Sequence, residues 1–280
     1  MACAESPQAK VVSSGSATTA PVLTTPVKPD PAAWDPRGAE ATLAEAITLA
    51  VQLQATPVLA LWDALTLHAD PSCPNPDLGD AGYYYSYWYA QCVTEDGATF
   101  TGYAYYYDDE RSRYFYNQLY CAGSVVDPEG NAFTATGRWS DSITEGAQKT
   151  TMVSSLKGFV AWTGDGQESN WIGQGLEPDV DFTRTLHAET GVRTLDAKGS
   201  ISALTGEFGT VTFTDVSFST DSGCLEPNGT ITLRAADGSR FDLAFGGADC
   251  LDGCADVTRD GEPVGTACGD FSPWALWEAP

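Results

Sequence analysis

The chain has 280 residues, room for one large domain or two small ones, and its 42% hydrophobic and 11% aromatic content is enough to fill a core. Against 14 basic residues stand 38 acidic ones, a net charge of -24 at pH 7 that repels phosphate backbones and anionic lipid surfaces. Nucleic acid is thereby excluded as a partner, and with only His68 and His187 present any histidine-cluster mechanism is excluded too.

At the N-terminus, Met1-Ala2-Cys3-Ala4 reads as the trimmed end of a bacterial lipoprotein signal, a small residue preceding Cys3 as the lipidated position. Residues 4–36 are mostly Ala, Ser, Thr, Pro and Val, the composition of a disordered tether. Residues 1–36 are therefore expected to be a lipoprotein-type tether. No apolar run reaches the roughly 18 residues of a membrane-spanning helix, so a membrane enters only through this anchor.

Two helices are predicted next. From Gly38 to Gln54, Leu43, Ile47, Ala50, Val51 and Gln54 fall at helical spacing, widened by Ala46 and Leu53. Pro57 ends or kinks this helix, and a second runs from Val58 to His68 with Leu61, Trp62 and Leu65 on one face. Beyond residue 75 the chain reads as strands and turns, with no return of the helix signal. Asp96-Gly97, Glu129-Gly130, Asp237-Gly238 and Asp260-Gly261 punctuate hairpins, and Asp-Gly suits a type I′ turn. In 210–218, Val211, Phe213 and Asp215 share one face while Val216 and Phe218 fall on the other, which predicts a bulge near Asp215. A weak repeat at about 30 residues, one hairpin long, supports an up-and-down meander.

The fold expected is mainly β: an antiparallel up-and-down twisted sheet with an N-terminal helical pair packed on one face. Residues 37–222 form the helical pair and meander. Residues 223–280 form a cysteine-rich β module, either separate or continuous with the same sheet.

All 12 tyrosines lie between residues 83 and 120. Strand parity sorts ten onto one face: Tyr83, Tyr85, Tyr87 and Tyr89; Tyr103, Tyr105 and Tyr107; Tyr114, Tyr116 and Tyr120. Tyr84, Trp88, Tyr106, Phe115 and Leu119 fall on the opposite, core-like face. A tyrosine couples a flat apolar ring to a polar tip, so such a ladder stacks on sugars, holds a peptide or docks a partner. The competing reading is a cross-strand lattice that only stabilises the sheet. Asp108-Asp109-Glu110 reads as a solvated hairpin tip.

Eight cysteines and only five lysines mark an exported, oxidised chain. Cys73 with Cys92 and Cys254 with Cys268 each close a hairpin, and Cys224 with Cys250 is the simplest third pair. That leaves Cys121 odd, unless it replaces Cys73 as the partner of Cys92. The rival is a zinc site from Cys224, Cys250, Cys254 and Cys268, whose spacing is untypical. Loose acidic sets (Asp249, Asp252, Asp256 and Asp260; Asp165, Glu168, Glu177, Asp179 and Asp181) show no EF-hand spacing. No nucleophile elbow, zinc-protease or Walker motif is present, and His187 with Asp181 and Glu189 makes only a paper triad. No cofactor, metal or catalytic residue is expected.

The stretch from Cys73-Pro74 to Cys92 with its Asp-Gly turn, and that from Cys224 through Asp249-Cys250-Leu251-Asp252-Gly253-Cys254 to Cys268, resemble cysteine-containing envelope lipoproteins of myxobacteria and their relatives. The resemblance covers about half the chain at the level of pattern. It implies an envelope location and no activity. The function expected is a membrane-tethered, secreted envelope protein that binds or scaffolds through the tyrosine face. Its partner would be an envelope protein, a glycan or a hydrophobic ligand. The alternatives are a periplasmic carrier of a hydrophobic ligand held between helices and sheet, and a hydrolase of saccharides or peptides.

Overall fold

A computed structural model describes residues 34–52, 57–74, 77–78, 84–111, 113–163, 175–204, 207–223, 226–246 and 252–277. Two helices come first, α1 (Arg37–Gln52) and α2 (Pro57–Thr66). Asp35 Oδ1 accepts the Arg37 N–H at 3.1 Å and so satisfies one of the free donors at the start of α1. Pro57 opens the second helix, where its missing N–H has no bond to lose. The strands follow: β1 (Asp77–Leu78), β2 (Tyr84–Val93), β3 (Thr99–Arg111), β4 (Tyr114–Val126), β5 (Ala132–Glu145), β6 (Lys149–Trp162), β7 (Glu177–His187), β8 (Arg193–Ser202), β9 (Phe208–Ser219), β10 (Asn228–Ala235), β11 (Arg240–Ala244), β12 (Cys254–Arg259) and β13 (Glu262–Cys268). A four-residue helix, α3 (Ser272–Ala275), comes last, too short to leave a helical period in the sequence.

Among the described residues the strands form one 13-stranded antiparallel sheet in sequence order. It is the expected up-and-down meander, and it runs without a break into the cysteine-rich strands β10 to β13. One face of the sheet is buried from β2 to β13. Trp88, Phe100, Leu119, Trp139, Leu156 and Val180 carry that burial through β2 to β7, and Leu195, Phe213, Leu233, Leu243, Val257 and Ala267 continue it to β13. The helices lie on this inner face. Val58, Leu61 and Leu65 of α2 pack over β4 and β5, while Ala39, Leu43, Ala46 and Ile47 of α1 belong to the same core near β9, β13 and α3.

The helices alone are too small to cover that face. Laid flat, 13 strands at about 4.8 Å spacing would span about 58 Å. Helices of these lengths reach only about 24 and 15 Å. The sheet's own twist and bending must supply the remaining cover. Glycines face one another on neighbouring strands. Gly102 (φ 90°) pairs with Gly123, and Gly137 (φ 121°) with Gly158. A Cβ on Gly102 would sit 2.0 Å from the Ala122 carbonyl oxygen, so these strands need glycine to approach so closely. The Trp88 and Trp139 rings lie over Gly123 and Gly158 and fill the space the missing side chains leave.

Two sequence expectations change in detail. Asp215 (φ 47°) does bulge out of β9, but the bulge returns Val216 and Phe218 to the inner face beside Val211 and Phe213. Burial of all four side chains outweighs the left-handed backbone at an exposed Asp, which tolerates it. Of the four turns at Gly97, Gly130, Gly238 and Gly261, only Asp260-Gly261 has positive φ at both residues (51° and 90°). It is the two-residue connection that demands a type I′ turn, whereas the turns at Gly97, Gly130 and Gly238 sit in longer loops where glycine alone takes positive φ.

Candidate functional site

The outer face of β2 to β5 gathers Tyr89, Tyr103, Tyr105, Tyr107, Tyr114, Tyr116 and Tyr120. Tyr89 pairs with Tyr103, Tyr87 with Tyr105 and Tyr85 with Tyr107 across β2 and β3. Tyr105 in turn pairs with Tyr120, and Asp109 with Tyr116, across β3 and β4. Tyr83 lies outside the described residues. Tyr89 is 88% exposed, its ring nearly parallel to that of Tyr103 (9°) with centroids 6.0 Å apart. Tyr103 continues to Tyr120 at 5.7 Å, and Tyr120 is itself 52% exposed. A hydrogen bond with Tyr120 raises the Tyr103 phenol above its ordinary range. A second group forms at the far end of the strands, where Tyr116 lies 6.5 Å from Tyr114 and 5.9 Å from Tyr107.

The polar members of this face stand between the rings. Gln91, Thr101 and Arg138 are exposed, and Tyr120 pairs with Arg138 across β4 and β5. With its amide oriented to satisfy both ends, Gln118 Oε1 accepts from Arg138 Nη2 at 3.0 Å, Arg138 Nε at 3.2 Å and the Tyr116 hydroxyl at 3.2 Å. Ser124 and Thr134 share a hydroxyl hydrogen bond of 3.0 Å. The backbone of β4 is paired along its whole length on both sides, and that of β3 is paired on both sides from Thr99 to Asp108. A partner on this face therefore meets side chains only.

The inner face under α2 holds a buried polar node that the sequence reading missed. The Tyr106 hydroxyl donates to Asn117 Oδ1 (2.9 Å), and Asn117 Nδ2 donates to Asp141 Oδ1 (2.7 Å). Asp141 Oδ2 accepts the Val58 N–H at 3.1 Å, so a sheet carboxylate caps the start of α2. Asp141 is 4% exposed, and burial lifts its carboxyl to about 6 against the pull of the Asn117 and Val58 hydrogen bonds. Trp62 of α2 stacks on the Tyr106 ring at 5.2 Å. Burial, then the charges of Asp108, Asp141 and Asp63, push the Tyr106 phenol up. Asp108, expected at a solvated hairpin tip, lies within β3 opposite Asn117, and burial raises its carboxyl. The strand simply runs on to Arg111. One signal in the sequence pointed here: Asp108, Asn117 and Asp141 all fall on the core parity of their strands.

The other candidates separate. Cys73–Cys92 and Cys254–Cys268 are disulfides, so the latter two are not zinc ligands. Cys3, Cys224 and Cys250 lie outside the described residues. Cys121 is a buried free thiol that burial raises to about 12, the Trp139 indole pulling it back slightly. Asp181 and His187 sit six residues apart on β7, about 20 Å along a strand, so they form no triad. Among the described residues no group of three or more His, Cys, Asp or Glu is placed to hold a metal ion. No helix of the described residues is long and apolar enough to cross a membrane.

No protein-family model, no curated protein and no solved structure matches the chain.

Proposed function

We propose that the protein is a non-enzymatic binding or scaffolding module of the bacterial cell envelope, anchored through Cys3 and working through the outer tyrosine face. Two disulfides point to an oxidising, extracytoplasmic compartment. The observation that carries the reading is Tyr89, 88% exposed and aligned with Tyr103. A ring present only to stabilise the sheet would be covered by its neighbours, and this one leaves most of its surface to water. Five of the eight large apolar side chains exposed among the described residues (Tyr89, Val93, Tyr114, Tyr120 and Val126) belong to β2 and β4. All five share the tyrosine face. That concentration marks a contact surface.

The reading as a hydrophobic-ligand carrier has less support. Ring pairs such as Phe182–Phe213, Phe208–Phe241 and Phe218–Trp274 occupy the inner side of the sheet. The test is a retention assay on envelope preparations from the native cells. The Tyr89→Ala, Tyr103→Ala double variant is expected to lose retention with its melting temperature within about 2 °C of the parent. Full retention, or a large loss of stability, would return these tyrosines to a structural role. The anchor is tested apart, by the intact mass of the native protein before and after reduction.

A further inference from the structure

We infer that the tyrosine face takes an extended glycan bearing carboxylates, with Tyr89, Tyr103 and Tyr120 stacking on its rings and Arg138 receiving a carboxylate. This rests on the reading of that face as the working surface and names the class of ligand.

Charge singles the face out. The register positions that share it across β2 to β5 carry only Asp109, Arg111 and Arg138 as charged residues. Their formal charges sum to one positive charge on a chain of net charge -24. The same face of β7 to β9 carries Glu177, Asp179, Asp181, Asp196 and Asp215 against Lys198. A cationic partner would settle on those later strands. An occupant of β2 to β5 is neutral or sparsely anionic. The nearest acidic strand, β7, lies two strand spacings from β5, about 10 Å, and physiological salt screens beyond about 8 Å.

Arg138 fixes the anionic character. Among the described residues no carboxylate lies within ion-pair distance of it. Its Nε and Nη2 are held by the neutral amide oxygen of Gln118, which orients the guanidinium and leaves its charge uncompensated. A bidentate carboxylate is the partner that a guanidinium prefers.

The remaining chemistry selects a glycan over a peptide or a protein. The backbone of β4, and that of β3 from Thr99 to Asp108, is already paired on both sides, so a peptide cannot add there as a strand. The row from Tyr89 to Tyr120 crosses three strands, about 10 Å, and its neighbours Gln91, Thr101, Ser124 and Thr134 are uncharged hydrogen-bonding groups. A stable protein interface buries about 800 Å² on each side around an apolar centre. A narrow strip of rings alternating with hydroxyls and amides instead matches a polymer whose C–H faces stack and whose hydroxyls bond to side chains.

The experiment titrates the full chain with alginate, polygalacturonate and hyaluronan oligosaccharides, and with the same oligosaccharides after carboxyl reduction. The parent is expected to bind at least one acidic probe and to bind its reduced form about tenfold more weakly, the size of one charge-assisted contact. Arg138→Gln should abolish that preference. Tyr89→Ala with Tyr103→Ala should abolish both, and Tyr89→Phe, which keeps the ring, should restore stacking. Equal binding of the acidic and reduced probes, or an unchanged preference in Arg138→Gln, overturns the inference. If the parent binds no probe while the tyrosine double variant still loses envelope retention, the glycan is wrong and the binding face stands. If neither assay responds to the tyrosines, both readings fall together.

Discussion

Strands β2 to β5 and strands β7 to β9 belong to one sheet and bury the same kind of inner face, yet their outer faces differ in kind. The first carries tyrosines, uncharged polar residues and an unmatched arginine. The second carries Thr183, Thr194, Ser200, Thr212 and Ser217 among acids, with Lys198 set against Asp215 at 3.9 Å and Lys157 against Asp179 at 3.1 Å. Thr and Ser suit a pleated, half-wet surface and need no partner. The acidic side chains among them keep the surface soluble and unattractive to other strands. The inner face therefore states what the fold requires, and the outer face is where one region departs from that minimum.

The largest test of this contrast uses adjacent residues on β2. Trp88 is buried against Phe100, while Tyr89 points to solvent. Trp88→Ala should cost about 3–5 kcal/mol in denaturant unfolding. Tyr89→Ala should cost less than about 1 kcal/mol, because a mostly exposed ring leaves no cavity. Similar costs for the two would mean that the outer ladder is part of the framework.

Next in size is the Cys73–Cys92 disulfide, which closes a loop of sequence separation 19 at the edge of the tyrosine region. Its removal as Cys73→Ser with Cys92→Ser should lower stability by about 3 kcal/mol. The loop ahead of it is also tied by Asp70, whose carboxylate accepts from the Ser72 hydroxyl and from the Glu95 N–H at 2.7 Å. The variant should therefore lose stability without losing the register of β2 against β3, as backbone amide exchange would show.

The Asp141 node gives a pH dependence of definite sign. Its folded carboxyl titrates at about 6, above the unfolded value of about 3.9. The folded state thus holds the proton to higher pH than the unfolded one. Stability from this group is greatest below pH 4 and falls as pH rises to 6, by about 3 kcal/mol in all. Asp63 and Asp108, raised in the same direction, add to the fall. Asp70 acts oppositely: the Ser72 hydroxyl and the Glu95 N–H hold it at about 2, so its contribution is lost only between pH 4 and 2. Asp141→Asn should flatten the dependence between pH 4 and 6 and leave the acid limb unchanged. An unaltered slope in urea titrations at several pH values would remove Asp141 from the account.

The smallest expected effect lies on the Ser/Thr/acid side. Lys198→Ala breaks an exposed ion pair to Asp215 and should change stability by less than about 0.5 kcal/mol. It should also leave envelope retention as in the parent, in contrast to the tyrosine variants.

Local chemistry made much of this legible in advance. Alternation along Tyr103 to Tyr107 and Tyr114 to Tyr120 assigns faces, because side chains on a strand alternate whatever the fold. The helical spacing of Leu43 and Ile47, and the hairpin cysteines Cys73 and Cys92, are likewise properties of short segments. The Asp141 node escaped the sequence reading because its members sit on three separate strands and a helix, and only register brings them together. Asp108 was misplaced for a related reason: three acids in a row look like a turn until the pairing partner Asn117 is known.

By itself, then, the sequence determined the meander, the helical pair before it and the sorting of tyrosines onto one face, since each follows from the period of the backbone. Only the tertiary structure decided that β10 to β13 continue the same sheet, that the Asp215 bulge returns Val216 and Phe218 to the core, and that Asp141 caps α2 from below. Those outcomes depend on burial and register between segments far apart in the chain, where the gain from covering apolar surface overrides what any one segment prefers.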